Sequence, residues 1–146
     1  MYRLLIIIGL FSQIAFGQSD GCSSATLLNV TANCSSPING TTNGATETIP
    51  GCVGNADDDV WYEFVANSSE TTIKVDPTVG YDAVIQLFSG SCGSLTSITC
   101  QDVNGLNGAE TLEATGLTIG NTYKFRVYHY GVGSGTSTFQ VCVLGL

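Results

Sequence analysis

Six stretches of the chain are rich in β-branched and aromatic residues and are separated by Gly, Asn, Asp and Ser: Val60 to Ala66, Thr71 to Val75, Ala83 to Ser89, Thr111 to Ala114, Thr122 to Tyr130 and Thr136 to Leu144. Short runs of this composition bounded by turn formers predict strands. In the fifth run Tyr123, Phe125 and Val127 alternate with Lys124, Arg126 and Tyr128, the period of two expected of a strand with one buried and one wetted face. Phe139, Val141 and Val143 repeat that period in the last run. Ala83 to Phe88 is apolar at both parities, which predicts a central strand. No helical period is sustained, and Ser24 to Leu28 reads only as an ambiguous turn. The pattern therefore predicts an all-β fold, an antiparallel β-sandwich of jelly-roll or immunoglobulin-like type. Leu117-Thr118-Ile119-Gly120-Asn121-Thr122-Tyr123 adds a tyrosine corner, in which the Tyr hydroxyl returns to the backbone of the preceding turn.

The N-terminal residues follow a different rule. Met1-Tyr2-Arg3 is a short basic start, Leu4 to Phe11 is an apolar run, and Ala15-Phe16-Gly17 ends it in small residues, the layout of a secretory signal. The run is far short of the ~20 residues of a membrane span. Residues 1–17 are thus expected to be a signal peptide and residues 18–146 a single secreted domain, with no membrane insertion. A chain of 146 residues has room for one such domain. Its 12 acids stand against four basic residues, one of which, Arg3, leaves with the signal. Nucleic acid is excluded as a partner, because binding it requires clustered Lys and Arg to displace counterions. The 43% hydrophobic content likewise excludes a disordered acidic tail.

Secretion gives the six cysteines their meaning, since an even count in an oxidising compartment implies a disulfide framework. The spacing suggests Cys92–Cys100 across a short Gly/Ser-rich loop, Cys34–Cys52 across a Gly/Thr/Asn-rich segment, and Cys22–Cys142 joining the first strand to the last. Three bridges leave no thiol for nucleophilic chemistry. There is one histidine, His129, no C-x-x-C pair for zinc and no G-x-S-x-G elbow. The chain is therefore not expected to be an enzyme.

Two binding chemistries remain. Calcium takes oxygens from acids, amides and carbonyls, and Asp57, Asp58, Asp59, Asp82, Asp102, Asn104 and Glu110 all fall in or beside turns. The segment from Asp102 to Gly108 resembles the start of a calcium loop, except that Leu106 stands where an oxygen is needed. Against a calcium site stands the simpler reading of solvated turn acids. Trp61, Tyr62, Tyr81, Tyr128 and Tyr130 are candidates for a platform on which sugar rings stack, the alternative being core and cross-strand pairs.

Several segments together resemble a known family. Asp59-Val60-Trp61-Tyr62-Glu63-Phe64, then Tyr81 through Gly93, the corner from Leu117 to Tyr123 followed by Phe125-Arg126-Val127, and the closing Phe139-Gln140-Val141-Cys142-Val143 are similar to the bacterial pre-peptidase C-terminal domain. The Tyr81 to Gly93 segment has a weaker similarity to CUB domains. The resemblance implies a secreted sandwich that accompanies peptidases and surface proteins without catalysing, in some relatives with calcium or an insoluble substrate bound. The expected function is a secreted, non-catalytic binding or adhesion module for a polysaccharide or a cell-surface partner. Alternatives are a surface or filament subunit that self-associates through edge strands, and an accessory domain of a secreted peptidase system.

Overall fold

The computed structural model describes residues 19–78, 80–133 and 137–145; the signal-peptide reading falls on residues 1–17 and lies outside them. A 3₁₀ turn, Cys22–Ser24, precedes ten strands: β1 (Thr26–Leu27), β2 (Val30–Thr31), β3 (Ile38–Thr41), β4 (Val60–Val65), β5 (Glu70–Pro77), β6 (Ala83–Ser89), β7 (Thr96–Gln101), β8 (Glu110–Thr115), β9 (Thr122–His129) and β10 (Thr138–Gly145). The first sheet has the order β1-β4-β9-β6-β7; the second has the order β2-β10-β5-β8, with β3 also beside β10. The expected sandwich is borne out. Its pairings are antiparallel except for two short parallel ones at the edges, β1 with β4 and β2 with β10. Among the described residues no helix is long and apolar enough to cross a membrane.

Alternation decides what faces inward. Val60, Tyr62 and Phe64 of β4, Tyr123, Phe125 and Val127 of β9, and Ala83, Ile85 and Leu87 of β6 meet Ile73 and Val75 of β5, Leu112 and Ala114 of β8, and Phe139, Val141 and Val143 of β10 in one buried core. Tyr62 stacks on Phe125 at 5.2 Å between ring centroids and meets Phe139 edge-on at 6.3 Å. Gly40 of β3 lies against the same rings, where a Cβ would overlap both Tyr62 and Phe139. The tyrosine corner forms as expected, the Thr118 N–H donating to Tyr123 Oη at 2.8 Å.

The outward face of the first sheet departs from the alternation reading. Arg126 and Tyr128 were expected to be wet, yet both have no exposed surface. The segment 42–59 crosses this face, and residues 19–24 cross beside it. Arg126 is tolerated there because its guanidinium is fully engaged: Nη1 donates to Asp59 Oδ2 at 2.7 Å and Ile49 O at 2.6 Å, and Nη2 to Pro50 O and Gln86 Oε1, both at 2.7 Å. A buried charge persists only when paired and hydrogen-bonded in this way. Trp61 Nε1 donates to Thr48 Oγ1 at 2.9 Å, and Tyr128 Oη donates to Val53 O at 2.7 Å. Lys124 pairs with Glu63 and also donates to Cys22 O. The crossing segments thus bring their own backbone carbonyls to the outward side chains.

The same crossings explain why the disulfides differ from the expected set. The bridges are Cys22–Cys92, Cys34–Cys142 and Cys52–Cys100, and none of Cys22–Cys142, Cys34–Cys52 or Cys92–Cys100 forms. Thr96–Gln101 is strand β7 rather than part of a closed loop, which carries Cys100 along the sheet to lie opposite Gln86. There it meets Cys52 of the crossing segment. Cys142 sits between the inward Val141 and Val143 and so points outward from the second sheet, where Cys34 covers it. Cys22 belongs to the segment over the first sheet and cannot reach the outward face of the second. The observed bridges span 70, 108 and 48 residues of sequence. In the chain-entropy account loops of that length contribute about 4 to 5 kcal/mol each as an upper figure, against about 3 kcal/mol for a loop as short as 92–100.

Candidate functional site at one end of the sandwich

Strand register collects four loops at one end. Ala83 pairs with His129, Val60 with Val127, Phe139 with Pro77 and Thr138 with Thr41. The connections that follow β3, β5, β7 and β9 therefore leave the sheets together, through 42–59, 80–82, 102–109 and 130–133. They are locked to one another. Asn107 N–H donates to Tyr81 O at 2.8 Å, Tyr130 N–H to Asp82 O at 2.9 Å and Asn55 N–H to Tyr130 O at 2.9 Å. Gly133 N–H donates to Asp57 Oδ2 at 3.1 Å. Asn107 adopts φ +67°, a left-handed conformation that asparagine tolerates better than most residues, and its Oδ1 accepts the N–H of Gly80.

All seven predicted metal residues come to this end, but most are already employed. Asp59 turns away to pair with Arg126 beneath the crossing segment. Asp58 is 2% exposed and accepts from Thr42 Oγ1 at 2.6 Å and His129 N–H at 2.9 Å. Burial raises its carboxyl above the ordinary range, with those two bonds pulling the other way. Glu110 Oε1 accepts the backbone N–H groups of Val103 and Asn104, and Asn104 Nδ2 donates to Ala109 O at 2.8 Å. Asp57 Oδ2 also accepts from Asn55 Nδ2. Asp82 and Asp102 are near neighbours, and the Asp102 carboxyl is raised first by burial and then by repulsion from Asp82. Among the described residues no three His, Cys, Asp or Glu side chains converge as metal ligands. Buried oxygens without a hydrogen-bond partner do remain here, Asp57 Oδ1, Asp82 Oδ1 and Glu110 Oε2.

The expected aromatic platform does not form. Trp61, Tyr62, Tyr81 and Tyr128 each have no exposed surface. Tyr62 is in the inner core; Tyr81 stacks between Phe139 at 5.8 Å and His129 at 5.3 Å; Trp61 and Tyr128 lie under the crossing segment. Tyr130 alone of the five is open, at 44%. Sequence reasoning also missed Val103, Leu106 and Val132, which are 76%, 59% and 84% exposed on the same loops. Their signal is a large apolar residue in a Gly/Asn-rich connection, where no strand can bury it. His129 bonds through Nδ1 to the backbone of Asp82, which accounts for it without a catalytic partner.

A family described as galactose binding domain-like and associated with type IX secretion matches residues 18–141. Among solved structures, the pre-peptidase C-terminal domain of a collagenase from Bacillus anthracis is 20% identical over 82% of this chain and 93% of that one, with a TM-score of 0.52. The periplasmic inhibitor of g-type lysozyme from Aeromonas hydrophila, PliG, is 16% identical over 82% and 96% of the two chains, with a TM-score of 0.43. No curated protein sequence matches. The first likeness bears out, at the level of fold, the resemblance read from the sequence. The chain belongs to the galactose-binding-domain-like family associated with type IX secretion.

Proposed function

We propose that this protein is a secreted, non-catalytic module that binds an extracellular glycan with the loop end formed by 53–59, 80–82, 102–109 and 130–133. The three disulfides are at home in an oxidising compartment, and with the family's secretion association they support an extracellular or cell-surface location. The observation that carries the reading is Tyr130. Among the described residues it is the exposed aromatic, and its backbone is bonded to Asp82 and Asn55. An aromatic ring stacks on the apolar face of a sugar, while neighbouring carboxylates and amides accept and donate to hydroxyls. The galactose-binding-like description of the family supports the same ligand class.

The test is retention of the purified chain on immobilised galactose-bearing and insoluble polysaccharides. Tyr130→Ala should weaken retention about tenfold, equivalent to roughly 1.4 kcal/mol, with the melting temperature unchanged. Retention of the variant equal to that of the parent would overturn the loop end as the binding face.

Calcium is a second reading, favoured by the unpartnered oxygens of Asp57, Asp82 and Glu110. Asp82 and Asp102, which repel when both are charged, are the pair a cation would relieve. A rise in melting temperature at millimolar calcium, lost in Asp82→Asn, is expected; no shift sinks it. Assembly through strand edges is less favoured. β1 and β2 have two residues each, β7 is interrupted by a register shift, and β8 carries Glu110 and Glu113, all features that blunt edge pairing.

A further inference from the structure

Tyr130 follows β9 two residues after Tyr128, and the segment that crosses over Tyr128 runs on to Tyr130. Residues 52–55 of that segment are tied from below. Cys52 is bridged to Cys100 of β7. Val53 is bonded to Tyr128 through both backbone groups, its N–H donating to Oη at 3.3 Å and its O accepting from Oη at 2.7 Å. Asn55 N–H then donates to Tyr130 O at 2.9 Å. Asp57 Oδ2 closes the far end, accepting from Asn55 Nδ2 at 3.3 Å and from Gly133 N–H at 3.1 Å. The segment is thus fastened to β9 before Tyr130 and to the loop after it.

Gly54 stands between these ties and lies against Tyr130 itself. A Cβ at Gly54 would fall 2.6 Å from Tyr130 O and 2.7 Å from Cδ2 of its ring, closer than atoms can approach. The carbonyl cannot retreat without losing its bond from Asn55, and Tyr130 N–H is held at 2.9 Å by Asp82 O. Gly54 also has φ +64°, a left-handed conformation that few residues besides glycine and asparagine adopt. Glycine is therefore what allows the segment to close on the ring.

Resting on the reading of Tyr130 as the stacking ring of a glycan site, we propose that Gly54 is a positioning residue of that site. It backs the Tyr130 ring, and the ties through Cys52 and Val53 hold it there. A ring already fixed in place need not be ordered when the ligand arrives, so more of the stacking free energy appears as affinity. Loosening the seat should weaken binding through Tyr130 even though neither Gly54 nor Tyr128 touches the ligand.

The experiment reads Tyr130 directly, by nitrating the disulfide-intact chain with tetranitromethane and mapping its peptides by mass spectrometry. Among the described residues Tyr62, Tyr81, Tyr123 and Tyr128 are buried and no cysteine is free, so the reaction reports Tyr130. Gly54→Asn keeps the left-handed backbone accessible but adds the Cβ. Tyr128→Phe keeps a ring in the layer but removes both bonds to Val53. Each variant should nitrate several-fold faster at Tyr130 and be retained several-fold less on immobilised polysaccharide. In a Tyr130→Ala background neither should lower retention further, since both act through the ring. Should Gly54→Asn fail to fold, as read from Trp61 emission, Tyr128→Phe decides by itself. Nitration equal to that of the parent would overturn the proposal, and so would a further loss of retention in the Tyr130→Ala background. Nitration that responds in a chain whose parent is not retained on any of the polysaccharides would sink the glycan reading and leave the seat of Tyr130 standing.

Discussion

The two faces of the first sheet are both buried, and by unlike means. Its inner face is closed by aromatic and aliphatic side chains from the second sheet, so its stability scales with apolar area. Its outer face surrounds a guanidinium: Arg126 Cζ lies 5.0 Å from the Tyr128 ring centroid, 5.7 Å from Phe88 and 5.8 Å from Trp61. The cover there is a segment of mixed exposure that contributes carbonyls, hydroxyls and a cysteine. Dense apolar packing tolerates little loss of volume. A charge network tolerates little loss of a partner. The faces should therefore fail in different ways.

The largest effects test that contrast directly. Phe125→Ala should cost about 3–5 kcal/mol through the cavity it leaves in the inner core. Asp59→Ala should cost a similar ~3–5 kcal/mol, here because Arg126 is left buried and unpaired. The distinction appears in rescue: adding Arg126→Leu should recover much of the Asp59→Ala loss and none of the Phe125→Ala loss, read from urea unfolding. A double variant no better than Asp59→Ala alone would erase the contrast.

Removing Cys52–Cys100 should come next, with up to about 4 kcal/mol lost. Trp61 is the single tryptophan of the chain and lies under the segment that this bridge pins. In Cys52→Ala/Cys100→Ala its fluorescence should become accessible to an aqueous quencher while the far-ultraviolet spectrum of the sheets persists. Unchanged quenching would mean that the outer layer holds without its bridge. Tyr123→Phe, which deletes the corner bond to Thr118, should cost about 0.5–1.5 kcal/mol, with both faces otherwise intact.

The smallest effect is on pH dependence. The Asp58 carboxyl binds its proton more tightly in the folded protein than in the unfolded chain. Its contribution to stability must therefore grow as pH falls from neutral through its raised value, and is complete below the ordinary aspartate range. Subtracting the melting curve of Asp58→Asn from that of the parent across this window should isolate a positive acid slope. A zero or negative slope would remove Asp58 as the source.

Much of the inner architecture was legible because it repeats locally. The six predicted runs correspond to β4, β5, β6, β8, β9 and β10, and the corner at Tyr123 was readable from seven consecutive residues. β7 was not, since Thr96-Ser97-Ile98-Thr99 offers one large apolar residue and a register shift interrupts its pairing. β1, β2 and β3, of two to four residues, carry too few positions to show a period. At the loop end the acids were found by type, but their employment was not. Asp59 pairs with Arg126 across 67 residues and Asp58 with His129 across 71, and nothing in the local pattern encodes such pairs. Of the aromatic candidates, Tyr130 stays open because β9 ends at His129.

By itself the sequence determined which parity of β9 and of β10 enters the core, that all the cysteines would be oxidised, and that the tyrosine would brace its corner. These follow from alternation and from residues a few positions apart. Only the tertiary structure decided which cysteines meet, why a strand's apparently wet face holds a buried arginine, and which loops share an end. The first two depend on segments without regular structure that cross the sheets and the third on strand register, and all three are set by long-range packing that a two-residue period cannot record.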